Sequence, residues 1–187
     1  MRTRTIGLVL LLSSGLVGCA KQSAEKAIAR AEQDIAAVRP EAEKVAPVEL
    51  AVLVDSVAAM KAHVAAGEYS AASRGARNLG LSVRDLRANL GNRRQQLTTG
   101  FTATANELPP QLEAVVARVT QLGAMRRLPP GIDQARFDAL KAEAPTWPGA
   151  WAAAKQDFDA GNLAQAMSAA AQLKTKVADA RRLLSMN

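Results

Sequence analysis

At 187 residues the chain has the length of one ordinary domain, and its 24 lysines and arginines against 17 aspartates and glutamates give a net charge of +7. Two tryptophans, one tyrosine and three phenylalanines leave the core to alanine and small aliphatic side chains, and helix-favouring residues outnumber strand-favouring ones, so an all-α fold is expected. The single cysteine excludes an internal disulfide and a thiolate metal cluster, and the basic surface selects anionic partners such as lipid headgroups, cell-wall polymers or an acidic protein face.

Arg2 and Arg4 open the chain with positive charge, and Ile6, Leu8, Val9, Leu10, Leu11 and Leu12 come next as a compact apolar run. A bilayer-spanning helix needs about 20 apolar residues, so this run is too short to cross. Its order of charged, apolar and small residues is that of an export signal. The small-residue end, Leu16-Val17-Gly18-Cys19, resembles the lipobox of bacterial lipoproteins. The resemblance implies a diacylglyceryl group on the Cys19 sulfur, cleavage between Gly18 and Cys19, and acylation of the new amine. Several acyl chains on one residue supply the multiple signals that stable membrane attachment needs. The competing readings are an ordinary secretory signal with an unrelated cysteine, or a buried apolar helix.

On the lipoprotein reading, residues 1–18 are a cleaved signal peptide, 19–23 a lipidated N-terminus with a short tether, and 24–187 a single helical domain. Loss of Arg2 and Arg4 lowers the net charge by two, from +7 to +5. An aspartate after the cysteine commonly retains Gram-negative lipoproteins at the inner membrane. Ala20 stands there instead, which implies an outer-membrane address facing the periplasm in an organism that has one. Export argues against nucleic acid as a partner.

Ile28, Ala31, Ile35 and Val38 are in 3-4-3 spacing, one face of a first helix. Pro40 and Pro47 punctuate the next stretch of chain, because proline disfavours helical geometry in its predecessor. A second helix carries Leu50, Leu53, Val57, Met60 and Val64, and Gly67 stops it. The third helix has the longest regular seam, Tyr69, Ala72, Ala76, Leu79, Val83, Leu86 and Leu90. Its pattern extends toward Leu97 and Phe101, with Gly91-Asn92 and Arg93 as the expected place for a break.

Pro109-Pro110 and Leu128-Pro129-Pro130-Gly131 are turn signals bracketing a helix with Leu112, Val115, Val116, Val119 and Leu122. Asp133 is placed to cap a short helix through Phe137 and Leu140, and Thr146 to cap the helix carrying Trp147 and Trp151. The last segment repeats the earlier design 94 positions later: Leu163, Ala166, Ala170, Leu173, Val177, Ala180 and Leu184 take the offsets of the third helix. Trp147, Trp151, Ala154 and Phe158 align with Leu53, Val57, Met60 and Val64, and Gly161-Asn162-Leu163 with Gly67-Glu68-Tyr69. The expectation is an elongated antiparallel helical bundle of two related hairpins, about 47–105 and about 146–186, with connecting helices over 110–144.

Residues 24 to 88 resemble an alanine-rich helical-hairpin domain of unknown function found in bacterial envelope lipoproteins. The matching stretches are the Ala-Ile-Ala-Arg-Ala-Glu run from Ala27, the Ala-Pro-Val-Glu-Leu run from Ala46, and the Ala-Gly-Glu-Tyr-Ser-Ala-Ala run from Ala66. The resemblance implies a hairpin opened at the second element and turned at the third, on an anchored protein. It brings no reaction, ligand or cofactor. The Gly-Glu-Tyr turn is also similar to that of a tetratricopeptide hairpin, but the 94-residue spacing is too long for that solenoid.

Arg74, Arg77, Arg84 and Arg87 lie on the third helix away from its apolar seam, a candidate ridge for anionic lipid, cell-wall polymer or an acidic envelope protein. A solvated helix face is the competing reading. Trp147 and Trp151, four apart, suit an aromatic platform, but their seam positions favour core. His63 has no second histidine with which to share a metal. Glu41/Glu43 and Asp157/Asp159 sit two apart, so each pair points to different sides of its helix. No nucleophile-base pattern, phosphate loop, metal site or cofactor site is legible. The function expected is therefore a lipid-anchored, non-enzymatic periplasmic adaptor or scaffold, with an envelope module binding anionic lipid or cell-wall glycan as the alternative.

Overall fold

The computed structural model describes residues 14 to 186, so 1–13, most of the stretch expected to be a signal peptide, lie outside the described residues. Among the described residues six α-helices and no strands occur: α1 (Ser14–Val45), α2 (Pro47–Ala65), α3 (Tyr69–Gly123), α4 (Gln134–Glu143), α5 (Trp147–Asp159) and α6 (Leu163–Leu183). A single 3₁₀ turn, Ala144–Thr146, joins α4 to α5. The protein is an all-α helical bundle. Its residues divide into two compact units, one ending at Leu90 and the other starting at Gly91.

In the first unit α1 and α2 pack antiparallel, with Lys61 Nζ 2.6 Å from Glu32 Oε1 across them. The buried stripe of α1 is Ala24, Ile28, Ala31, Ile35, Val38, Ala42 and Val45. It runs straight through Pro40, where a stop was expected. A proline inside a helix costs about 3 kcal/mol, and burying Ala42, Val45 and Ala46 beyond it works against that loss. α2 contributes Leu50, Leu53, Val57 and Met60, and α3 contributes Ala72, Ala76, Leu79, Val83, Leu86 and Leu90. A Cβ at Gly75 would lie 3.0 Å from Met60 Cγ and Sδ, so the glycine lets α3 approach α2 closely.

The α2–α3 and α5–α6 turns are built alike. Ala66, Gly67 and Glu68 donate their N–H groups to Ala62, Val64 and His63 carbonyls at 3.0, 3.1 and 2.8 Å. Ala160, Gly161 and Asn162, each 94 positions on, donate to Gln156, Phe158 and Asp157 at 2.9, 2.9 and 2.8 Å. Gly67 and Gly161 have φ of 79° and 81°, the left-handed region that a Schellman helix stop requires. The repeat seen in the sequence is thus a repeat of geometry.

In the second unit the C-terminal half of α3 buries Phe101, Thr104, Leu108, Leu112, Val115, Val119 and Leu122 at three- and four-residue intervals. Two expectations fail in this helix. Pro109-Pro110 lies inside α3 and no turn forms, and Gly91-Asn92-Arg93 does not break the helix. The stripe continues in register across both prolines, so core burial overrides the local penalty. Asp133 caps α4 as expected, its Oδ1 accepting from Arg136 N at 2.8 Å. Thr146 does not cap α5; its hydroxyl donates to the Glu143 carbonyl at 2.8 Å instead. Trp147 and Trp151 are both buried. The Phe101 ring stacks on Trp151 and Phe158 at centroid distances of 5.4 and 4.3 Å, so the tryptophans belong to the core and not to a sugar platform.

Candidate functional site

Gly18 and Cys19 lie in the first turns of α1 and are exposed, leaving both the proposed cleavage point and the thiol accessible. From there α1 runs beside α3, and two shallow grooves open between them. The first, about 340 Å³, is lined by Ala20 and Ser23 of α1 and by Tyr69, Ser70, Ser73, Arg74 and Arg77 of α3. The second, about 410 Å³, shares Arg77 and continues with Arg30, Asp34, Leu81 and Arg84.

Three of the four ridge arginines are therefore gathered along one surface: Arg77 belongs to both grooves, Arg74 to the first and Arg84 to the second. Arg87 is exposed but lines neither groove; three residues beyond Arg84, it lies about 60° further round the helix. Asp85 is exposed and lines neither groove, so Asp34 is the one carboxylate on their walls. Among the described residues, Arg30, Arg74, Arg77 and Arg84 form no salt bridge, whereas Lys21, Arg39 and Lys61 on the same unit pair with Glu25, Glu43 and Glu32.

Sequence reasoning missed Arg30 and the hydroxyl groups of the first groove. Periodicity places residues on faces of one helix and says nothing of which neighbour they meet. The 94-residue alignment held a usable signal. Leu163, Ala164, Met167, Ser168 and Ala171 stand where Tyr69, Ser70, Ser73, Arg74 and Arg77 do, and Ala178 stands for Arg84. Only Arg87 keeps its basic character, as Arg181. The groove chemistry belongs to the first hairpin alone.

A second surface also escaped the sequence reading. Val48 and Val52 on α2 are 73% and 59% exposed, and Val54 is exposed as well. Val54 lines a groove between α2 and α1, whereas Val48 and Val52 with Ala51, Ala59 and Ala62 leave the outward side of α2 largely apolar around Asp55, although the inward side already fills the core. A helix apolar on both sides is ordinarily covered on both.

The remaining candidates have structural roles. His63 Nδ1 donates to the Glu68 carboxylate across the α2–α3 turn. Asp157 accepts from Gln165 at 3.0 Å. In the second unit Glu143 binds Lys176. That hydrogen bond holds the Glu143 carboxyl below its ordinary pKa, against the opposing effect of burial, with the ammonium charge and the nearby Trp147 indole adding to the lowering. The buried Trp147 Nε1 nonetheless has no partner in hydrogen-bond geometry. No group of acidic, histidine or cysteine side chains among the described residues is placed to hold a metal ion, and no described helix is long and apolar enough to cross a membrane. The chain matches no family model, no curated protein and no solved structure.

Proposed function

We propose that the chain is a lipid-anchored protein of the cell envelope, held through Cys19 and acting without catalysis as a periplasmic adaptor or scaffold. Ala20 directs it to the outer membrane where the organism has one. The lipobox sequence and the exposed Gly18-Cys19 step support the anchor. The observation that carries the adaptor reading is the outward face of α2, where Val48 and Val52 remain in solvent on a helix whose other side is core. Large exposed aliphatics grouped on one helix face mark interaction surfaces more than chance exposure does.

Two measurements test it. Intact mass of the membrane-extracted protein reports acyl chains on Cys19, and a mature species without them removes the anchor. A photo-crosslinking residue at Val52, irradiated in living cells, yields a discrete protein adduct on the adaptor reading. Adducts confined to lipid or cell-wall material, or none, remove it. The alternative, a module binding anionic lipid or cell-wall glycan, draws its support from the arginine grooves.

A further inference from the structure

We propose that the first groove, between the starts of α1 and α3, binds phosphate headgroups of anionic phospholipid in the membrane that holds the anchor. The assignment rests on the lipid-anchor reading for its position but not for its chemistry. Arg74 and Arg77 line the groove together with the hydroxyl-bearing residues Ser23, Tyr69, Ser70 and Ser73, and no acidic residue lines it. None of these six side chains has a hydrogen-bond or salt-bridge partner among the described residues. Ser56, Ser82, Thr104 and Thr120, by contrast, spend their hydroxyls on carbonyls four residues back. Guanidinium forks and hydroxyl donors together are the chemistry that holds a phosphate, the arginines offering paired donors and the hydroxyls single ones.

Position selects the source of the phosphate. Ser23 lies four residues from Cys19, about 6 Å along the helix, and the headgroup layer of one leaflet is about 5–7 Å deep. A groove at that height is inside the headgroup zone or within the screening length of about 8–10 Å from it. Arg30, in the second groove, lies eleven residues from the anchor, about 16 Å along α1, and shares its groove with Asp34. The end of the surface nearest the lipid is therefore also its more purely cationic end. The second hairpin, which carries no such cysteine, has leucine, alanine, methionine, serine and alanine at the matching positions of α6.

The test uses the mature chain from residue 19 carrying Cys19→Ser, so that no acyl chain contributes. Co-flotation is measured on vesicles of phosphatidylcholine with and without 30% phosphatidylglycerol, about a third of the lipid, a charge that attracts basic side chains near the surface. Binding is expected only with phosphatidylglycerol. Arg74→Gln with Arg77→Gln lowers it about thirtyfold, the effect of two basic side chains near an anionic surface, while Arg126→Gln with Arg127→Gln lowers it less than about threefold. Equal loss from both pairs, or no loss from the first, overturns the proposal. Release by inorganic phosphate at fixed ionic strength also overturns it, assigning the groove to free phosphate.

Circular dichroism checks that each variant keeps its helix. A crosslinking residue at Ser70 in the full chain, in living cells, gives an independent reading. A phospholipid adduct supports the groove assignment, and an adduct to protein or cell wall removes it. Because the vesicle assay contains no lipidated cysteine, its failure is separate from a failure of the anchor, which intact mass reports.

Discussion

The two hairpins share a frame and differ in what fills and what covers it. Their turns use the same three backbone hydrogen bonds at a 94-residue offset, and matched seam positions such as Leu79 and Leu173, or Val83 and Val177, are buried in both. The second hairpin fills its seam with Trp147, Trp151 and Phe158 where the first has Leu53, Val57 and Val64. Outside the seam the first carries arginines, hydroxyls and exposed valines, and the second carries Ser168, Ala171, Ala178, Thr146 and Pro148. The frame tolerates either set, so the surface differences are not requirements of folding. On the readings proposed above, they are where the first hairpin meets its partners.

The largest expected effect tests the difference in filling. Trp151 is buried and stacked on Phe101, so Trp151→Ala should cost about 3–5 kcal/mol, including the cavity it leaves. Val57→Ala, at the matching place, removes only two carbons and should cost about 2 kcal/mol. Urea denaturation followed by far-UV circular dichroism gives both values. Equal costs would show that the aliphatic seam is packed as tightly as the aromatic one.

The turns should respond alike. Gly67→Ala and Gly161→Ala each force a Cβ into left-handed backbone, costing roughly 1–2 kcal/mol, and nothing lies within 4 Å of the new methyl at Gly67 to add a clash. Asparagine at either place should cost less. Thermal melts that separate the two glycines would break the equivalence of the hairpins. A third turn of the same pattern closes α6, with Ser185 left-handed at φ 52°, so Ser185→Gly should raise stability by up to about 1 kcal/mol.

A smaller contrast concerns charge. Glu143 matches Glu49, but its partner Lys176 matches Ser82, so this pair has no counterpart in the first unit. The Glu143 pKa is lowered in the folded protein, chiefly by the Lys176 hydrogen bond. Its contribution is therefore complete above the unfolded carboxyl pKa and is lost as pH falls through the lower folded value. Lys176→Met should bring the Glu143 titration, followed by NMR, back toward its ordinary range and flatten the acid side of the stability profile. The change should stay within about 0.2–1 kcal/mol, because both side chains are half exposed.

Fold class, the repeat, the seam residues and the Asp133 cap were legible because each depends on spacing within one stretch of chain. The continuity of α3 was not. Gly91 matches Ser185, where α6 has already ended, and Pro109-Pro110 carries a strong local turn signal. What carries the helix through is burial of Phe101, Leu108, Leu112 and Val115 against other elements, a tertiary effect that no local rule contains. The site was half legible for a related reason. The 100° wheel found Arg74, Arg77 and Arg84, but Arg30 and Ser23 come from a different helix. The valines of α2 were passed over because its 3-4 seam explains only the apolar residues that face inward.

Those valines give the smallest expected effect on folding and the sharpest division between frame and function. Thr146 stands in the second hairpin where Val52 stands in the first, and both are exposed. Val52→Thr should therefore leave the unfolding free energy within about 0.5 kcal/mol, since an exposed side chain gives up little on truncation. Val48→Ser should behave in the same way. If α2 meets a protein partner, the two substitutions together should abolish that partner's crosslink to a neighbouring position such as Ala59 while the melting curve stays in place. If they instead lower the melting temperature by more than a few degrees, the outward face of α2 is already covered within the protein. The apolar character of α2 would then belong to the core, and outside the seam the first hairpin would differ from the second only by its arginines and hydroxyls.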